Sequence, residues 1–301
     1  MSMRDQLRGT GVALITPFNG DQSVDFESLH KLINFVIEGG VQYLVILGTT
    51  GEVPTLSTEE KKEIIEFSYE IVAGRVPVVV GIGGNNTKAL IREIETFPLD
   101  KAIAILSVSP YYSKPTQEGI YQHYKALASA TAKPIILYNV PGRTGSNITP
   151  ATAIRLAKDV VNITGIKEAS GNMVQCLQLL RDKSQEFFVT SGDDHLAMPQ
   201  IACGMDGVIS VAANCFPRDF SKMVQCALNE DIASAKALNN KLLPAFDLLF
   251  AENSPAGVKA FLSALGIIKN YLRLPLVPVS DSLTEDIERF LTSYNQVTVH
   301  A

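Results

Sequence analysis

Short apolar, β-branched runs alternate with longer segments of helical period over the first three quarters of the chain. The runs are Gly11–Thr16, Tyr43–Leu47, Pro77–Ile82, Ala102–Ser107, Pro134–Asn139, the stretch Asn162–Ser170, Phe187–Ser191 and Gly207–Val211. Between and after them, helices are predicted over Phe26–Glu38, Ser57 to Val72, Thr87–Phe97, Glu118–Thr131 and Thr149–Lys158. Others start near Met173, span His195–Cys203 and start near Pro217. Local signals mark several boundaries. Pro17 ends the first run, Gly39-Gly40 closes the first helix, and Ser57-Thr58-Glu59-Glu60 is a capping box. The result is eight strand–helix units, each about thirty residues long, the size of a βα repeat. The runs are nearly continuous rather than alternating, as expected of parallel strands buried on both faces. Eight such units fit a (β/α)8 TIM barrel better than an open doubly wound sheet. No GxGxxG turn follows the first run, which removes the best signature of a dinucleotide fold.

Beyond residue 230 the alternation stops. Asp231–Ala251, Ser254–Leu265 and Ser282–Tyr294 read as helices, and Leu274–Val279, with two prolines, as an extended linker. The expected organisation is a catalytic barrel over 1–230 with a C-terminal helical appendage over 231–301.

Composition narrows the possible functions. The chain has 301 residues, 46% hydrophobic and 19% charged, enough for a large core. A net charge of -5 disfavours nucleic acid as a partner. Met1–Arg8 lacks the apolar core of a signal peptide, and no apolar run is long enough to span a bilayer, so cytoplasm and no membrane are expected. Cys176, Cys203, Cys215 and Cys226 form no CxxC pair, so no disulfide framework is expected. Cys203 and Cys226 lie in apolar surroundings and are predicted to be buried. His30, His123, His195 and His300 show no HxH or HxxxH spacing, which gives a metal site little support.

In a barrel the C-terminal strand ends converge on one face, where active sites sit. The polar residues at those ends are Thr16, Thr49 with Thr50, Ser107, Tyr138, Lys167, Ser191 and Ser210, and Lys167 is the one lysine among them. A strand lysine either keeps its head in solvent or stays partly buried, where the ammonium is disfavoured and the amine becomes a nucleophile for carbonyl carbon. The flanking glycines of Gly48-Thr49-Thr50-Gly51 permit a sharp turn that bares backbone N–H groups for a carboxylate or phosphate, or serve only as turn geometry. Tyr138 is suited to relay protons, and Arg143 to hold a carboxylate with its planar fork. A half-buried core tyrosine and a surface arginine are the plainer alternatives. Glu168, next to Lys167 on a strand, must point the other way and is expected to support the layer between barrel and helices.

The motifs GTTGE at 48–52, SPYYSKPTQEG at 109–119, YNVPGRTG at 138–145, GIKEASGN at 165–172, SGDD at 191–194 and GVISVAAN at 207–214 resemble the dihydrodipicolinate synthase family, within the pyruvate-dependent superfamily of N-acetylneuraminate lyase. The resemblance covers essentially the whole chain. It implies that Lys167 forms a Schiff base with pyruvate and that Tyr138 shuttles protons. It also implies a relay of Thr49, Tyr138 and Tyr112, with Tyr112 lent by a neighbouring subunit. By the same resemblance, the Thr50 N–H binds the pyruvate carboxylate, Arg143 holds the carboxylate of L-aspartate-4-semialdehyde, and Ile209 and Gly192 line the pocket. No metal or organic cofactor is implied, and a homotetramer, at least a homodimer, is. The arginine after YNVP favours a synthase over an aldolase of sialic acids or 2-keto-3-deoxy sugar acids, which would share Lys167 and Tyr138. A catalytically dead barrel is the alternative of another class, and the joint presence of these residues argues against it.

Two departures from the family pattern stand out. Lysine-inhibited members resemble one another in a histidine- and glutamate-bearing effector pocket. Here Val53–Lys61 holds no histidine, and Ala89 stands where the glutamate would be, although Asn85 and Tyr111 match. Weak or absent inhibition by L-lysine is expected. Ser254 also stands where relatives often carry asparagine.

Overall fold

A computed structural model describes residues 2–299, with side chains to residue 294. Met1 and His300, which entered the readings above, lie outside the described residues. Eight parallel strands close into a barrel in sequence order. They are β1 Gly9–Ala13, β2 Tyr43–Ile46, β3 Val78–Gly81, β4 Ala104–Val108, β5 Ile135–Asn139, β6 Ile163–Glu168, β7 Phe188–Ser191 and β8 Gly207–Ser210. The helices are α1 Met3–Leu7, α2 Phe26–Glu38, α3 Thr58–Val72, α4 Thr87–Thr96, α5 Gln117–Ser129, α6 Pro141–Thr144, α7 Pro150–Asp159, α8 Met173–Asp182, α9 Ala197–Ala202, α10 Pro217–Leu228, α11 Ile232–Phe250, α12 Ala256–Ala264 and α13 Asp281–Val299.

Side-chain chemistry explains where many helices begin. Asp25, Ser57, Asn86, Thr116, Thr149, Asn172 and Asp231 each accept the backbone N–H three residues on. At Ser57 the capping box with Glu60 is complete. The strands alternate between two cores. Val45, Val79, Ala104, Ile136, Phe188 and Ile209 fill the barrel, whereas Leu44, Val80, Ile105, Leu137, Ile166 and Val189 face the helical layer. The outer core continues without a break into residues of α11, α12 and α13, such as Phe246, Phe261 and Leu291.

β1 starts at Gly9 rather than Gly11 because Gly9 is paired with Gly207 of β8. Its far end is tied off by Asn214, which donates to the Ala13 carbonyl and accepts from Ile15 N–H. The short helix α1 was not legible from apolar period. It carries the fully buried Leu7 into the barrel's inner cluster, with Met3 packed beside it. Arg4 anchors it to the buried Asp206 at 2.6 Å. One cysteine expectation fails and another is met only in part, since Cys226 still packs against the outer core. Cys203 is exposed because it follows the last turn of α9, and Cys226 is half-buried because it lies off the apolar face of α10. Cys176 and Cys215 are buried. Among the described residues, no helix is long and apolar enough to cross a membrane.

Candidate active site

The register of β5 and β6 brings the central pair together. Tyr138 and Lys167 are cross-strand partners, as are the next residues, Asn139 and Glu168. Alternation along a strand then sends Tyr138 and Lys167 to the same side of the sheet and Asn139 and Glu168 to the other. Lys167 is only 4% exposed, and its Nζ lies 4.4 Å from the centre of the Tyr138 ring. Idle burial of this kind is costly for a lysine. Behind the pair, Glu168 is fully buried and accepts three hydrogen bonds, from Asn139 Nδ2 (2.9 Å), Gln175 Nε2 (3.0 Å) and Ser170 N–H (2.6 Å). Asn139 also donates to Asn147 and accepts from Ile148 N–H. Glu168 therefore supports the strand–helix layer, as expected from its parity, and couples the ends of β5 and β6.

A cavity of about 290 Å³ opens over Lys167. Its walls include Thr49, Thr50, Tyr138, Arg143, Gly192 and Asp194. A second cavity, of about 230 Å³, shares Thr49, Tyr138 and Arg143 and extends past Tyr111 and Lys61. Thr49 and Thr50 open a single 3-10 turn, Thr49–Gly51, whose first N–H groups have no partner within the turn. Two non-glycine residues in the left-handed region bracket it, Leu47 (φ 55°) and Glu52 (φ 54°). Strain of this kind persists only where the surroundings enforce it. Here Thr16 Oγ1 donates to the Gly51 carbonyl at 2.8 Å and Thr55 Oγ1 to the Glu52 carbonyl at 2.9 Å.

Arg143 lies in α6, a single turn that Pro141 starts and Gly145 ends in the left-handed conformation. Its Nη2 donates to the Ser254 carbonyl at 3.3 Å. A guanidinium has five N–H donors, so others remain for a ligand. Gly192 is a matter of space. A Cβ there would stand 2.7 Å from Lys167 Cε and 2.7 Å from Ala169 Cβ. Ile209 belongs to the barrel's inner apolar cluster and is not among the residues lining the cavity. Tyr112 is 90% exposed, has φ 69°, and lines neither cavity of its own chain.

Sequence reasoning left Asp193 and Asp194 without roles. Asp193 caps the following turn by accepting from His195 and Leu196 N–H. Asp194 is buried and accepts from Val211 N–H (3.1 Å) and Ala212 N–H (2.8 Å), which fixes the chain beyond β8. Burial pushes its carboxyl above the usual carboxylate range, while hydrogen bonds from Ser210 and from those backbone groups oppose the shift. Sequence reasoning also missed His195, Phe250 and Ser254, which complete the cavity wall. The helical appendage was given no site residues, so Phe250 drew no attention and Ser254 was noted only as a departure from the family pattern. Among the described residues, no cluster of three or more histidine, cysteine, aspartate or glutamate residues is placed to hold a metal ion.

The sequence pattern of the Dihydrodipicolinate synthetase family matches residues 6–294. The chain belongs to that family. It is 51% identical over 288 residues to the 4-hydroxy-tetrahydrodipicolinate synthase of Azobacteroides pseudotrichonymphae, covering 96% of this chain and 97% of that protein. Among solved structures of the family, the chloride-inhibited dihydrodipicolinate synthase of Acinetobacter baumannii, complexed with pyruvate, superposes with a TM-score of 0.93. It is 41% identical, over 96% of this chain and 99% of that one. A monomeric dihydrodipicolinate synthase variant superposes with a TM-score of 0.94 at 39% identity, over 97% of this chain and 98% of that one.

Proposed function

We propose that this chain condenses pyruvate with L-aspartate-4-semialdehyde to give 4-hydroxy-tetrahydrodipicolinate, a step of lysine and diaminopimelate biosynthesis. The observation that carries the reading is the buried Lys167, with its Nζ 4.4 Å from the Tyr138 ring centre at the open face of the barrel. The Lys167 amine attacks C2 of pyruvate, and loss of water leaves an imine. The imine is the electron sink, so a methyl proton leaves and an enamine forms without a further cofactor. The enamine carbon attacks the aldehyde carbon of the semialdehyde, whose oxygen takes a proton to become the hydroxyl. The second substrate's own amino group then attacks the imine carbon, closes the ring and expels the Lys167 amine.

Each step moves a proton, and Tyr138 stands where one group serves several of them. Thr49 would connect Tyr138 to Tyr112 of a neighbouring subunit. The exposure of Tyr112 and its absence from its own cavity support that role and a homotetramer, at least a homodimer. The Thr50 N–H would take the pyruvate carboxylate, and Arg143 the carboxylate of the semialdehyde. Gly192 would leave room for the lysine, and Ile209 would back the pocket. A cytoplasmic location fits such a biosynthetic enzyme. The names carried by the relatives favour this reading over cleavage of a sialic acid or 2-keto-3-deoxy sugar acid. The test is a comparison of substrates: pyruvate should be consumed only when L-aspartate-4-semialdehyde is added, and N-acetylneuraminate should release no pyruvate. Pyruvate release from N-acetylneuraminate, with no condensation, would overturn the assignment.

A further inference from the structure

The C-terminal helices meet the site through a buried ion pair. Glu52 follows the Thr49–Gly51 turn directly, and Lys259 sits in the middle of α12. Both side chains are 0% exposed, and the ammonium contacts the carboxylate. The pair is tied in further. Lys259 Nζ donates to the Tyr271 carbonyl at 2.9 Å and stands 4.1 Å from the centre of the Phe18 ring. Arg273 N–H donates to the other Glu52 oxygen at 3.1 Å. Its guanidinium lies 4.4 Å from the same ring and donates to the Thr55 carbonyl at 2.8 Å. Thr55 in turn holds the Glu52 carbonyl. Burial lowers the pKa of Lys259 from its usual value to about 8, and Glu52 opposes that shift.

Such a pair is weak as a source of stability but severe when broken, because the remaining charge is stranded in an apolar site. Here the stranded charge would be a carboxylate adjoining the turn that carries Thr49 and Thr50. The turn is also in a conformation that needs enforcement, with Leu47 and Glu52 both left-handed. We propose that Lys259 is a positioning residue for pyruvate. Acting through Glu52, it holds the Thr49–Thr50 turn in the geometry that receives the substrate carboxylate. This rests on the pyruvate reading above and gives the C-terminal helices a part in substrate binding.

The test titrates pyruvate against the unmodified protein, Lys259→Met and Glu52→Gln/Lys259→Met, with borohydride present and the Lys167 adduct read by mass spectrometry. Steady-state KM and kcat and thermal melts accompany each titration. In Lys259→Met the pyruvate concentration for half-maximal trapping should rise about tenfold or more, with KM moving more than kcat. The double variant, which strands no charge, should recover part of the loss. If Lys259→Met does not fold, Lys259→Arg replaces it: the bulkier head in a fully enclosed site should raise half-saturation in a folded protein. Unchanged half-saturation in a folded single variant overturns the proposal, as does a folded double variant no better than the single one. No adduct in the unmodified protein would instead overturn the pyruvate reading, and this proposal with it.

Discussion

Replacing Gly192 by alanine should impair the lysine nucleophile while leaving the barrel folded. The added methyl would meet Lys167 Cε at 2.7 Å and Ala169 Cβ at 2.7 Å. Carbon atoms pack at about 3.5–4.0 Å, so the neighbours must withdraw by about 1 Å. Ala169 has no torsion with which to escape, whereas Lys167 has several and borders the open cavity, so the displacement falls on Lys167. A misplacement of about 1 Å at a reacting centre lowers rates by about 100-fold. Overpacking of this size costs about 1–3 kcal/mol of stability, which a barrel with this much buried core should tolerate. The assay is the rate of borohydride-trapped adduct formation on Lys167 at saturating pyruvate, with kcat and a denaturant melt on the same sample. A folded Gly192→Ala protein that traps pyruvate at the unmodified rate would refute the claim that this space belongs to Lys167.

Three further outcomes follow from the same geometry. Glu168→Gln turns an acceptor into a donor facing Asn139, Gln175 or Ser170, so it should destabilise the chain by about 1–3 kcal/mol in urea melts and lower kcat; an unaltered melt would remove Glu168 from the support of β5 and β6. Burial holds His123 neutral and pushes its pKa down to about 4, whereas in the unfolded chain it titrates near about 6.5. Between those values the unfolded state binds more protons, so stability is full above about 6.5, falls by about 3 kcal/mol in all as pH drops from there to about 4, and levels off below it. Melts of His123→Gln should lose that slope, and an identical slope would exclude His123 as its source. L-lysine at submillimolar concentration should leave activity unchanged, because Val53–Lys61 offers no histidine and Lys61, itself a cation paired to Glu93 at 3.0 Å, lines the second cavity; strong inhibition would contradict this.

The barrel was legible because its strands, buried on both faces, read as unbroken apolar runs, and because caps such as Ser57 mark helix starts. Strand ends were less so. β1 begins at Gly9 only because Gly207 lies beside it, and a pairing partner is not a property of the local sequence. The short α1 escaped for lack of a period, although Ser2 and Asp5 form a capping box. Lys167 stood out as the lone lysine at a strand end. The same reasoning would have found Lys259, a lone lysine in the apolar run Ala256–Ala264, but that run was assigned to an appendage where no site was sought. Its partner Glu52 lies more than two hundred positions away, and no spacing rule connects the two. Arg143 and Thr49 were legible as residue types, yet their placement depends on the left-handed backbone at Glu52 and Gly145.

The proposed chemistry stands or falls on an imine between the Lys167 amine and pyruvate. Reduction of the protein with borohydride in the presence of pyruvate, followed by peptide mass spectrometry, tests it most directly. One reduced pyruvate adduct per chain is expected, carried by the peptide containing Lys167, and none in Lys167→Ala or Lys167→Arg. An adduct on another lysine, or none at all, would contradict it.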